Sequence, residues 1–185
     1  GYVLTVNSAL KDKIAAQFSA TDDLVNGQEI YLVAQYNGLV FHAAKQKFNA
    51  AEVLFNIPKK NLPSGVLQLT ILTAQMAPLA ERLVFNYNTE STLLPVSIAL
   101  NKSSFTIRDK VIANLNVHYG DRDTSKVAAL SASVVNLSKV DSTTDRYYSS
   151  IVSELLLKAD LRGFIERPNY YFEDLTNIKI NDLDN

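Results

Sequence analysis

Through residue 88 the chain alternates apolar and polar positions with a period close to two. Short turn-rich breaks interrupt the pattern. Tyr2 to Val6 forms a first short run, and Lys13 to Phe18 a second with Ile14, Ala16 and Phe18 on one side. In Glu29 to Tyr36, Ile30, Leu32 and Ala34 oppose Tyr31, Val33 and Gln35. Both faces of that run are largely apolar, which predicts a central strand of a packed sheet. Asn37-Gly38 follows, the strongest short hairpin signal, and predicts a return strand over Leu39 to Ala44. Further strands are predicted over Glu52 to Ile57, Val66 to Thr73 and Leu79 to Tyr87, with turns at Asp22 to Gly27, Leu62 to Gly65 and Gln75 to Pro78. Seven short strands at this spacing predict an antiparallel β-sandwich over residues 1–88.

Asn88 to Thr92 is polar and Pro95 follows, so 89–95 reads as a linker. Strand grammar then resumes. Val96, Ile98 and Leu100 alternate with Ser97, Ala99 and Asn101. In Lys110 to His118, Val111, Ala113, Leu115 and Val117 share a face. Gly120 to Asp123 predicts a turn, Val127 to Val135 another strand, and Phe105 marks a weaker fourth. Asn177 to Ile180 is a late strand candidate. Residues 94–185 thus read as a second, incomplete β domain. The fold class expected is mainly β: two tandem antiparallel β-sandwich domains, the second with a C-terminal helix.

That helix is predicted over about 149–162, with Ile151, Val152, Leu155, Leu156 and Ala159 near one face. Lys158 and Arg162 lie late in it, where positive charge suits the helix end, and Gly163 is a plausible stop. Pro168 and three aromatics, Tyr170, Tyr171 and Phe172, come next. They follow neither a strand nor a helix period. They either cover the end of a core or dock a neighbouring domain.

Composition narrows the function classes. A formal net charge of -1 argues against a strongly basic nucleic-acid surface. With no cysteine, a disulfide, a zinc-thiolate site, a thiol nucleophile and a thioester are all ruled out. No apolar run is long enough for a membrane-spanning helix.

Catalytic and metal motifs are sparse. His42 lies within a predicted strand and His118 ends another, neither beside an acidic or second histidine motif, so both read as structural or solvated. Asp121-Arg122-Asp123 and Asn181 to Asn185 offer oxygen ligands but lack the glycine and distal glutamate of an EF-hand loop. They read as a hairpin tip and a solvated end. No nucleophile elbow, S-x-x-K motif, P-loop or dinucleotide fingerprint occurs. No catalytic residue, metal or cofactor is therefore expected. Tyr31, Tyr36 and Phe41 flank the Asn37-Gly38 turn and would stack on a sugar or peptide if exposed, though packing is their ordinary role. With Tyr170, Tyr171 and Phe172 they are the candidate binding residues.

Several segments resemble a known family. Leu62 to Phe85, LPSGVLQLTILTAQMAPLAERLVF, is similar to the end of a macroglobulin-like domain of large envelope proteins from Bacteroides and relatives. Phe105 to Val111 resembles the opening of the next such domain, and Ala129 to Val135 its Leu-Ser-x-Ser-Val strand. LLLKADLRGFIERPNYYF, residues 155–172, resembles the leucine-rich helix and Tyr-Tyr-Phe motif that follow, and is the most specific segment. The resemblance implies a longer parent chain continuing past Asn185, in some members through a carboxypeptidase-regulatory-like sandwich and a plug domain of the TonB-receptor type. It implies an extracytoplasmic place, in the periplasm or at the outer membrane. Covalent protease trapping is not implied, since no thioester cysteine is present.

The function expected is a non-catalytic structural and protein-docking module of a larger envelope protein. Its expected partners are downstream domains of the same chain or other envelope proteins, with residues 155–172 packing on the next domain. The alternative is a ligand- or glycan-binding adhesin-type module that uses the six aromatics.

Overall fold

The computed structural model describes residues 1–88, 95–118, 129–136, 139, 149–173, 179, 182 and 183. The protein is mainly β, with antiparallel sheets and a short C-terminal helix. The chain divides into two units. One comprises Gly1–Asn88 together with Asp141–Asn185, the other Thr89–Val140. The expected division placed everything after residue 94 in one domain; the contacts instead group the C-terminal segment with the first sandwich.

The first unit holds all seven expected strands: β1 Tyr2–Asn7, β2 Lys13–Ala20, β3 Glu29–Tyr36, β4 Leu39–Lys47, β5 Glu52–Pro58, β6 Gly65–Thr73 and β7 Pro78–Asn86. They form a three-stranded sheet, β1-β2-β5, and a four-stranded sheet, β4-β3-β6-β7. Asn37 and Gly38 both take positive φ, 49° and 76°, which closes the β3–β4 hairpin with the turn geometry matched to strand twist.

The period-two pattern sets what is buried. Ile14, Ala16 and Phe18 of β2 and Val53, Phe55 and Ile57 of β5 meet Ile30, Leu32 and Ala34 of β3 and Leu67, Leu69 and Ile71 of β6 in one core. Tyr2 stacks on Phe18 at 5.5 Å between ring centres, and Phe18 meets Phe48 at 5.2 Å. Asn86 is fully buried and donates through Nδ2 to the Pro63 carbonyl at 2.8 Å. Ser64 Oγ accepts from the Asn88 amide at 2.7 Å. These bonds fasten the end of β7 to the turn that launches β6.

The edge strands β4, β5 and β7 of the sandwich carry guards. Phe41 is the extra residue of a bulge in β4, and Leu79 of one in β7. β4 also exposes Lys45 and Lys47, β7 begins at Pro78, and Gln46 donates to the Leu54 carbonyl on β5 at 2.7 Å. Bulges, lysines and prolines at an edge discourage pairing with another chain.

The second unit contains β8 Val96–Leu100 and β9 Ala113–Val117, which form an antiparallel ribbon. A second sandwich was expected here, but among the described residues there is this single two-stranded sheet. The weak strand at Phe105 is a loop. Asp109 accepts the Thr106 amide at 3.0 Å and pairs with Lys102 at 3.2 Å, while Arg108 sits at φ 69°. Side-chain bonds of this kind compete with a ladder. Residues 129–135, expected as a strand, are exposed and unladdered. The linker through Leu94, the Gly120 to Asp123 turn and the 177–180 strand lie outside the described residues, apart from Lys179.

Candidate docking site

On the outer face of the four-stranded sheet, Val66 of β6 and Phe85 of β7 are register partners, and both are buried. A segment from the C-terminal part of the chain covers them. It starts with α1, Ile151–Ser153, where Ser150 and Ser153 form a reciprocal capping box. Glu154–Lys158 continues as a π turn, the Ala159 amide donating to the Glu154 carbonyl at 2.9 Å. Lys158 pairs with Glu154. Its ammonium hydrogen bond is the leading cause that holds the Glu154 carboxyl below the ordinary range.

The π turn also corrects the expected helix. One helix over about 149–162 with Ile151, Val152, Leu155, Leu156 and Ala159 near one face was predicted; the helical stretch ends at Lys158, and Ile151 and Leu155 are 75% and 61% exposed. Leu157 is buried instead, beside partly buried Leu156, Leu161 and Ile165. Ile151, Leu155 and Ala159 recur every four residues and do share a face, but it is the exposed one; Ser153 and Leu157, two positions round, form the buried one.

Beyond Gly163 the chain reaches α2, Tyr170–Glu173. Phe172 meets Phe85 edge-on at 5.9 Å, and Tyr171 packs into the same cluster. Tyr170 lies against Tyr171 at 5.4 Å and carries the Lys179 ammonium 4.5 Å above its ring. Tyr87 joins from the end of the sandwich, and burial pushes its hydroxyl pKa up. The aromatic tail thus covers the first sandwich's own outer face. Of the two roles expected for it, covering a core is the one these contacts match. Val66 and Phe85 went unnoticed in the sequence. The signal for them was an apolar residue on the second face of β6 and β7.

The hairpin aromatics occupy a different place. Tyr31 donates to Glu29 at 3.2 Å, and Glu29 also pairs with Lys45. The Lys45 hydrogen bond is the first cause that holds the Glu29 carboxyl below its usual range. Tyr36 packs over Gly65 so closely that an added Cβ would lie 2.6 Å from its ring. Phe41 meets Tyr36 edge-on, at an interplanar angle of 66°. The two rings do not form one flat platform, and neither do Tyr170 and Tyr171, at 77°.

The ribbon carries the most one-sided surface. The cross-strand pairs Val96–Val117, Ile98–Leu115 and Leu100–Ala113 stand on one face. Ser97, Ala99, Asn114 and Asn116 stand on the other. Val96, Ile98, Leu100 and Leu115 are exposed, Ile98 at 65%. Neither strand contains a charged residue or a proline.

The histidines are far apart in role. His42 lies in the inward-facing row of β4, opposite Ala34, with its Nε2 buried. His118 Nε2 lies 3.0 Å from Ser97 Oγ on the ribbon. That pair is exposed, and no acidic side chain is bonded to the ring among the described residues. It clasps the ends of two strands. Among the described residues no three His, Asp or Glu side chains converge, and no helix is long and apolar enough to cross a membrane. Asp121 to Asp123 and most of Asn181 to Asn185 lie outside the described residues; Leu183 packs in the Val66–Phe85 cluster. No protein-family model matches the chain, and no curated protein matches it.

Proposed function

We propose that the chain is a non-catalytic structural and protein-docking module of a larger envelope protein, working outside the cytoplasm. The sandwich with its C-terminal strap is the scaffold, and the second unit presents the docking surface. The observation that carries this reading is the exposed, uncharged face of Val96, Ile98, Leu100 and Leu115. A contiguous apolar face left open to water marks an interaction surface. The envelope location rests on the resemblance of residues 62–85 and 155–172 to macroglobulin-like domains. Further envelope domains or proteins are the partners that resemblance suggests. The sugar-binding alternative gains no support from Tyr36 and Phe172, which are packed on Gly65 and Phe85, or from the exposed Phe41 and Tyr170, which stand edge-on to their neighbours.

The test is binding of a fluorescent apolar dye to the intact protein. Wild-type protein should bind it strongly, and Ile98→Asp with Leu115→Asp should remove most of that signal while the sandwich keeps its thermal transition. Equal binding by the double variant would show that this face is not the docking surface.

A further inference from the structure

The chain contains the pair Asn-Gly twice, at Asn26-Gly27 and at Asn37-Gly38. Asparagine before glycine is a reactive pair, because no side chain shields the glycine nitrogen from the asparagine's own side-chain carbon. By exposure the two pairs are alike. Both asparagines are exposed, both glycines take positive φ, 71° and 76°, and an added Cβ on either glycine would meet nothing within 4 Å.

Hydrogen bonds separate them. The Gly27 amide donates to the Phe48 carbonyl at 2.8 Å, and the Phe48 amide donates back to the Gln28 carbonyl at 2.8 Å. Asn26 Oδ1 accepts the Gln28 amide at 3.0 Å. Phe48 is a core residue, 1% exposed, so this turn is anchored in the sandwich interior. The second pair has no such anchor. Among the described residues neither the Gly38 amide nor the Asn37 side chain makes a hydrogen bond. The pair forms the tip of the β3–β4 hairpin, and β4 is an edge strand. Opening the tip therefore disturbs little else, whereas opening at Asn26 must first break a bond to the core.

We propose that Asn37 is a site of spontaneous covalent modification, at which asparagine becomes aspartate and isoaspartate. When the tip opens, the Gly38 nitrogen gives its proton to hydroxide and attacks Asn37 Cγ. The N–Cγ bond forms, the Cγ–Nδ2 bond breaks, and Nδ2 leaves as ammonia with a proton taken from water. Water then opens the cyclic imide. Attack at Cγ gives aspartate; attack at the main-chain carbonyl carbon gives isoaspartate, in which the backbone runs through the side chain. No electrons are transferred. Either product adds a negative charge to the hairpin tip. Isoaspartate also inserts a methylene into a turn whose geometry is matched to strand twist, and so loosens the start of β4. The inference goes beyond the docking reading and does not rest on it.

The test is peptide mapping by mass spectrometry on the full chain aged in mildly alkaline buffer, with fragmentation that separates isoaspartate from aspartate. Asn37 should convert at least about tenfold faster than Asn26, because the anchored turn opens more rarely. In urea the two rates should converge, since the bonds that distinguish the turns are gone. Asn37→Gly suits the φ of 49° at this position and should remove most of the acidic species that ion exchange resolves in the aged wild type. Equal rates in the folded chain, or faster conversion at Asn26, overturn the proposal. So does a tenfold difference that persists in urea, because flanking sequence and not the fold would then set the rate. Undiminished acidic species in the Asn37→Gly variant overturn it as well, by placing the reaction elsewhere.

Discussion

Strands β6 and β8 are built from similar residues, GVLQLTILT and VSIAL, yet they lie in opposite surroundings. β6 has β3 on one side and β7 on the other. The core covers one of its faces, and the C-terminal strap covers Val66 on the other. Among the described residues β8 has one neighbour, and every residue in it is exposed. Strand propensity is comparable in the two. What differs is the number of neighbours that satisfy the backbone and exclude water, and that is what a strand's stability depends on.

The comparison breaks most visibly under core truncation. Phe55→Ala removes a ring buried to 1% between the two sheets and should cost about 3–5 kcal/mol. Ile98→Ser on the ribbon should change global stability by less than about 0.5 kcal/mol. Denaturant titration of both variants checks the gap, and an equal loss would place Ile98 inside a core. A smaller effect is expected at Gly65, whose φ of 130° is already unfavourable for other residues and whose missing Cβ accommodates Tyr36. Gly65→Ala should cost about 1–3 kcal/mol. Tyr36→Leu in the same chain should recover part of that, because only the contact and not the φ strain is relieved. No recovery would assign the whole cost to the backbone.

The smallest effect concerns the exposed pair Glu29–Lys45. The Glu29 pKa is depressed in the folded state, so its contribution is present above the ordinary glutamate range. That contribution is lost as pH falls through the lowered value. Glu29→Gln should therefore flatten the acid side of the stability profile slightly, and salt should mask the difference. A change on the alkaline side would contradict the assignment.

Much of the sandwich was legible in the sequence because its determinants are local. Alternation in Glu29 to Tyr36 and the Asn37-Gly38 turn define β3, the hairpin and the start of β4 without help from distant residues. The strap was legible only as a helix followed by aromatics. Which of its faces is buried depends on a partner face, Val66 and Phe85, that is remote in sequence. Alternation over 129–135 resembles that of β3, but a strand needs a neighbour, and pattern alone does not supply one. At Phe105 the Asp109 side chain captured a backbone amide, a local competitor that the apolar count ignored.

The strap also sets how the molecule would carry load. Residues 149–173 pack with the body formed by 1–88, and the ribbon unit comes between the two in sequence. A pull between the two chain ends therefore passes through the sandwich and the contact of Leu157 and Phe172 with Val66 and Phe85. In a molecule held at both ends, the strap would act as a mechanical fuse: its release would lengthen the tether and load the ribbon only afterwards.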